Sequence, residues 1–250
     1  MLKILIDADM IVFRACAAVE KTIHWYGDLW TLHSDAAEAK AGVDELVVSF
    51  VDKVMRHYDY GGSYEIVMCF SDEDNFRKKV LPTYKLNRGQ KRRPLCFGAV
   101  KEWVQDNFKT CQMQGLEADD CIGILATEPS GDLKVIISGD KDFKTIPGYF
   151  YDFMRDSYYE LSEAEADYWH YYQTLIGDRT DNYTGCPGIG AVRAKRLLDD
   201  NASWSTVVEA YEKAGLTEED ALQQARVARI LRYCDYDRKT QKPILWEPPV

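Results

Sequence analysis

GLEADDCIGILATEPSGDLKVIISGDKDF, Gly115 to Phe143, is the stretch from which the rest of the chain is best read. It carries five carboxylates at its two ends: Glu117, Asp119 and Asp120 first, then Asp140 and Asp142. Between them lie an apolar helix-like run (Cys121 to Thr127), a Pro-Ser-Gly turn and a short apolar strand (Lys134 to Ile137). A strand ending in Ser-Gly-Asp-Lys-Asp puts Asp140 and Asp142 at the carboxyl edge of a sheet, where open α/β folds build their sites. The Glu-x-Asp-Asp group opens a helix, whose N-terminus favours negative charge, with Glu117 and Asp120 three residues apart on one face. One acidic cluster alone reads equally well as a solvated helix start. Two clusters joined by one helix-turn-strand unit can be brought together, and like charges that close repel unless hard cations such as Mg²⁺ hold them.

The chain has 250 residues, a formal net charge of −10, 46% hydrophobic and 29% charged residues. This is the composition of a soluble globular protein with a substantial core. No run approaches the roughly 18 apolar residues of a membrane span, and no signal-peptide pattern is expected at the start. Seven scattered cysteines form no Cys-x-x-Cys pair, and the four histidines show no ligand spacing. Reduced thiols, a cytoplasmic setting (host cytoplasm if phage-encoded), no membrane partner and oxygen-only metal ligation follow.

Two more apolar strands end in acid. Lys3 to Asp9 closes on Asp7 and Asp9, and Glu65 to Phe70 runs into Asp72 and Asp74. Either Asp72 or Asp74 is the candidate ligand of the second. Thr22 to His33, with Gly27-Asp28 between aromatic pairs, reads as a hairpin. A long helix is expected from Asp35 to Tyr58 with Ser34 as its cap. Residues 77–93 carry Arg77, Lys78, Lys79, Lys85, Arg88, Lys91, Arg92 and Arg93 with Tyr84 among them and no acid. Such a run is ordinarily a solvated loop; directly after an acidic strand end it suits a phosphate grip. Leu95 to Asn107 reads as a helix.

Farther on, strands are expected over Tyr149–Met154 and Tyr158–Leu161. Ser162 and Glu165 form a capping box for a helix ending at Gly177. Asp178 and Asp181 are a further acid pair, and Gly188 and Gly190 precede a helix carrying Arg193, Lys195 and Arg196. Close backbone approach at these glycines and outward N–H groups suit a phosphate. Helices follow at Ser205–Lys213 and Glu218–Tyr233, the second with Arg226, Arg229 and Arg232 along it, as readily a solvated face as one for nucleic acid.

Nine carboxylates form the candidate set: Asp7, Asp72, Glu117, Asp119, Asp120, Asp140, Asp142, Asp178 and Asp181. Without them the formal charge rises from −10 to −1, so the remaining chain has cations enough for a polyanion. Two hard metals roughly 4 Å apart suit phosphodiester hydrolysis, with Lys85 and Arg88 best placed to hold the scissile phosphate.

The acidic first strand IDAD, the pairs Phe76-Arg77, Tyr84-Lys85 and Asn87-Arg88, GLEADD, SGDKDF and GDRTDNYTGCPGIG at 177–190 together resemble the 5′-nuclease (flap endonuclease) superfamily, in the style of phage 5′–3′ exonucleases. The resemblance implies a PIN-like α/β fold, a parallel sheet flanked by helices over 1–161, with a helical arch at 76–107. It also implies a helical region over 162–250 with a helix-three-turn-helix DNA grip at 177–200. It places Asp7, Asp72, Glu117 and Asp119 at a first metal, Asp140 near both, and Asp142, Asp178 and Asp181 at a second, with Asp120 in support. It implies two Mg²⁺, with Mn²⁺ as substitute, and K⁺ at the Gly185–Gly190 turn. The implied substrate is duplex or branched DNA, with RNA in RNA–DNA hybrids as a further one, cut by a monomer to 5′-phosphorylated products. Two departures stand out: Ala8 between the first aspartates, and the 22–33 hairpin, which has no family counterpart. A PIN-type ribonuclease and a non-catalytic DNA-end-binding protein are the competing readings. Ribonucleases of that type are commonly shorter and lack the Gly-Ile-Gly grip, and an idle carboxylate cluster would only destabilise the fold.

Overall fold

The computed structural model describes residues 1–89 and 92–249. Lys91, expected to bind DNA, lies outside the described residues. The buried apolar run Leu2–Asp7 forms strand β1, and the Asp7 carboxylate accepts from Met10 N at 3.1 Å to cap helix α1 (Ala8–Val19). A hairpin follows, β2 (Lys21–Tyr26) and β3 (Leu29–His33), then α2 (Ala36–His57). Asp35, not Ser34, caps α2, accepting from Ala37 N at 2.8 Å, while the Ser34 hydroxyl turns to Cys96 Sγ at 3.0 Å. After β4 (Tyr64–Cys69) come α3 (Arg77–Val80), α4 (Phe97–Asn107), β5 (Thr110–Cys111) and α5 (Ala118–Thr127). The chain continues through β6 (Leu133–Ser138), β7 (Gly148–Asp152) and β8 (Ser157–Leu161). Four helices follow, α6 (Glu163–Ile176), α7 (Ala191–Asp200), α8 (Trp204–Lys213) and α9 (Glu218–Ala228), and then a short antiparallel pair, β9 (Tyr236–Asp237) and β10 (Lys242–Pro243).

The main sheet has six strands in the order β5-β4-β1-β6-β7-β8, all parallel except the edge strand β8. The three strands expected to end in aspartate, β4, β1 and β6, are therefore immediate neighbours. Right-handed crossovers place helices on both faces of such a sheet. Alternate residues of β1 divide between them: Ile4 and Ile6 pack with α1, α2 and α4, and Leu5 packs with Ile122 and Ile124 of α5. Ile230 and Leu231 join the α5 side, and a third apolar cluster holds α6 to α9 together. Gly123 of α5 makes this closeness possible, since a Cβ there would lie 2.4 Å from Leu231 O.

Between Arg77 and Arg88 short helical turns occur, at Arg77–Val80 and Leu86–Arg88, and α4 buries Phe97, Val100 and Val104 against α1 and α2. One expectation changes. The last helix stops at Ala228, five residues early, because Arg229 and Arg232 leave it to pair with Asp235 and Asp167. Both arginines are buried, which removes the proposed arginine face. All seven cysteines are free, six of them buried or half-buried and Cys234 exposed. Among the described residues no helix is long and apolar enough to cross a membrane.

Candidate active site

A cleft of about 510 Å³ opens at the carboxyl edge of β4, β1 and β6. Asp7, Asp9, Asp72, Glu117, Asp119, Asp140, Asp142 and Asp181 line it, facing Lys85, Arg88 and Arg93. Adjacent strand ends supply Asp7, Asp72 and Asp140. Asp74 is exposed and is not among the lining residues, which favours Asp72. Asp72 accepts from Gly115 N at 2.7 Å, and this backbone bond holds its pKa below the ordinary value. The N-terminus of α5 presents Glu117 and Asp119. Ser138 links two strand ends, its hydroxyl donating to Asp7 at 3.2 Å and accepting from Asp140 N at 3.1 Å.

Asp178 and Asp181 arrive on a loop pinched shut by two glycines. A Cβ on Gly177 would sit 2.4 Å from the backbone of Thr184, and one on Gly185 2.4 Å from Gly177 N. Both glycines have φ near +65°, which other residues adopt only under strain. Asp178 does not line the cleft itself, but its charge raises the pKa of Asp140 and Asp142.

The electrostatics divide the carboxylates. Burial pushes Asp7 up to about 7, helped by Asp9 and Asp140. Burial likewise lifts Asp142 to about 7, with Asp140 adding repulsion. Asp119 is raised strongly by burial and by Asp7 and Asp140, and Asp140 is raised chiefly by burial. Glu117 behaves in the opposite way: burial pushes it up, but Lys85 and Arg77 more than offset this and bring it to about 2. Lys85 Nζ bonds Glu117 and lies 3.4 Å from Asp181, and Arg88 bonds Asp181. Tyr84 donates to Glu117 at 2.8 Å and lies 3.1 Å from Asp181.

Three residues expected at the site do something else. Asp120 is fully buried and points away from the cleft, held by Arg77 through two contacts of 2.7 Å and by Leu231 N at 3.1 Å. It is a structural anion rather than a metal ligand, because an α-helix turns successive residues by about 100° and Asp119 takes the cleft side. Arg77 is correspondingly buried and bonded to Val227 O, so it is not free to grip DNA. Tyr84 is also buried and serves the carboxylates, not a base. Lys78 and Lys79 are exposed, as are Arg92 and Arg93, and Arg92 pairs with Glu20.

A second cleft of about 490 Å³ lies at the glycine turn, lined by Arg179, Asn182, Thr184, Gly188 and Gly190 among others. Gly188, with φ +74°, and Gly190, the N-cap of α7, are open to solvent, as are Arg193, Lys195 and Arg196. Lys195 pairs with Asp199. The sequence reading missed Asp9, which accepts from Ser71 N at 2.8 Å and faces the cleft. It also missed Gln173, whose amide donates to Asp142. Asp9 was legible in the Asp-Ala-Asp spacing; Gln173 had no signal.

The donor set is oxygen only, and within it Asp7, Asp119, Asp140 and Asp142 are raised in pKa chiefly by burial, with repulsion from neighbouring carboxylates adding to it, which is the chemistry of a hard-cation site. Among the described residues no three of these groups are already drawn into a closed ligand shell. A carboxylate-lined sheet edge of this kind, beside exposed glycines and cations, fits a phosphodiester-cleaving nuclease. The family follows from sequence: the profile of the 5′-3′ exonuclease N-terminal resolvase-like domain matches residues 3–167. The chain belongs to this 5′–3′ exonuclease family and is a DNA nuclease of it. It is 31% identical to the exodeoxyribonuclease of Enterobacteria phage T3 over 98% of this chain and 92% of that protein. It is also 31% identical to the exonuclease of Escherichia phage T7, over 98% and 93%. The zinc-bound 5′-exonuclease of phage T5 has the same fold, with a TM-score of 0.64 at 17% identity, covering 91% of this chain and 89% of that one.

Proposed function

We propose that the protein is a two-metal 5′→3′ exonuclease and flap endonuclease that uses Mg²⁺, or Mn²⁺ in its place, and acts as a monomer. The observation that carries this is the convergence of carboxylates from three adjacent strand ends and one helix N-terminus on one cleft. Asp7, Asp72, Glu117 and Asp119 would hold the first cation, Asp142, Asp178 and Asp181 the second, and Asp140 would serve both. Asp9 joins the first group by position. When bound, such cations supply Lewis acidity to water and to the leaving oxygen and offset charge developing on the phosphoryl group.

The chain's own residues do the rest. Lys85 and Arg88 now neutralise Glu117 and Asp181. Cations at the carboxylates would release them to the scissile phosphate, which Arg88 can grip through two donors. Gly188, Gly190 and the start of α7 would hold the duplex backbone with Arg193, Lys195 and Arg196, with K⁺ in the glycine turn. Lys78, Lys79 and Arg93 would add to phosphate binding at the cleft mouth. DNA with a 5′ end, nick or flap is the substrate; RNA in RNA–DNA hybrids fits the same backbone grip. Phage T5's flap endonuclease has been crystallised in complex with DNA and metal ions.

Cleavage of 5′-labelled flap, nicked and single-stranded DNA, with Mg²⁺ and with chelator, tests the proposal. Mg²⁺-dependent release of 5′-labelled products is expected. Asp140→Asn should reduce it at least about 1,000-fold while DNA binding persists, a loss of several kcal/mol of transition-state stabilisation. Cleavage by that variant at the wild-type rate removes Asp140 from the mechanism.

A further inference from the structure

The hairpin β2–β3 exposes apolar side chains that neither the core nor the cleft uses. Trp25 and Trp30 are 60% and 58% exposed, and Tyr26, Leu29 and Leu32 are exposed beside them. Soluble proteins rarely leave such a cluster open without a partner. Paired residues share a face of a hairpin and neighbours alternate. The His24–Trp30 pair therefore lies on one side, stacked at 4.1 Å between centroids, and Trp25 on the other, its indole donating to Thr31 at 2.9 Å. Either side offers a ring face to a planar group.

The root of the hairpin is fixed to the basic segment at the cleft mouth. Glu20 accepts from Arg92 and from Leu95 N, each at 2.9 Å, and Ser34 reaches Cys96 at 3.0 Å. The next residues along, Arg93 and Phe97, line the cleft with Met10 and Phe13 of α1. At 1.5 Å per residue, α1 sets the root about 18 Å from Asp7, and the strands then reach about 20 Å farther. Arg93 at the cleft and Arg92 at Glu20 therefore lead from the carboxylates to the root of the hairpin that carries the two exposed tryptophans.

We propose that the hairpin is a stacking platform for single-stranded DNA that passes the cleft mouth along Arg93 and Arg92. The inference rests on the nuclease reading and extends it to substrate preference. Guanidinium groups at the root and exposed rings farther out match a strand whose phosphates need cations and whose bases present flat π faces. Arg92 is held by Glu20, and a purely apolar partner would leave Arg93 unused.

The test compares the affinity of the intact protein, in chelator so that nothing is cut, for two labelled duplexes. One carries a 5′ single-stranded thymidine flap of about 12 nucleotides, within the span that such surfaces cover; the other is blunt. Wild type should prefer the flap. Trp25→Ala with Trp30→Ala should weaken flap binding about 10-fold, leave blunt binding unchanged and keep the melting temperature, since neither ring is in the core. Trp25→Phe with Trp30→Phe should retain the preference, because a ring face remains. Flap affinity unchanged in the double alanine variant overturns the proposal. So does a wild-type dimer in sedimentation that this variant abolishes while flap affinity holds, which would assign the hairpin to a second copy of the chain. If wild type cuts blunt duplex with Mg²⁺ yet shows no flap preference, only the hairpin proposal falls. If it cuts nothing, the nuclease reading falls with it.

Discussion

Glu117, Asp120 and Asp181 differ from Asp7, Asp119, Asp140 and Asp142 in what balances their charge. The first group is met by the chain's own cations: Lys85 and Arg77 at Glu117, Arg77 at Asp120, and Arg88 and Lys85 at Asp181. The second group has no such pairing, and burial raises every member. Proximity in sequence does not sort them, since Asp119 and Asp120 are adjacent and fall on opposite sides. The paired half builds the frame, fastening α3 and the 83–88 segment to α5 and the 178–183 loop. The unpaired half is left to be balanced from outside.

The largest expected effect tests the frame. Arg77→Ala strands Asp120 as a buried, unpaired charge and should cost about 3–5 kcal/mol in chemical denaturation. Arg77→Met with Asp120→Leu should recover most of that, because the desolvation cost is removed with the charge. If the single variant loses under about 1 kcal/mol, Asp120 is not held as described.

The second concerns the unpaired half and has a definite sign. Asp7 has its pKa pushed from 3.8 to about 7. Below the lower value both folded and unfolded chains hold the proton, and no stability is lost. Between the two the unfolded chain ionises first, so stability falls as pH rises, and above about 7 the whole penalty is present. In chelator, Asp7→Asn, which keeps the cap on α1, should therefore gain on wild type as pH rises from about 4 to 7, by at most about 4 kcal/mol. A constant difference across that range would contradict a buried, uncompensated Asp7. Glu117 predicts the reverse at lower pH: its contribution is present above its ordinary 4.5 and lost as pH falls through about 2.

The smallest effect joins the halves. Divalent cation should raise stability by about 2.7 kcal/mol at 100 times its dissociation constant. The gain should shrink in Asp140→Asn, and a melting temperature indifferent to Mg²⁺ would mean that the unpaired carboxylates do not bind it.

Much of this was legible from residues alone. The apolar strands ending in aspartate, the helix opened by Glu-x-Asp-Asp, the capping box at Ser162 and the hairpin at 22–33 all depend on local periodicity and capping, which short stretches carry themselves. The acid-free basic run announced an anionic neighbour but not which one. Asp35 displaced Ser34 as a cap because Cys96, 62 residues away, took the serine hydroxyl. Arg229 and Arg232 looked like a helix face until Asp235 and Asp167 drew them inward and ended the helix.

By itself the sequence determined the inventory: three acidic strand ends, a helix opened by carboxylates, a glycine turn with cations after it, and an oxygen-only donor set. Only the tertiary structure decided the partners. Placing β4, β1 and β6 side by side brought their aspartates together. The direction of each side chain on α5 then sent Asp119 to the cleft and Asp120 to Arg77. Local order depends on neighbours within a few residues, whereas charge pairing in a buried site depends on which distant segments pack against it, and no spacing along the chain encodes that directly.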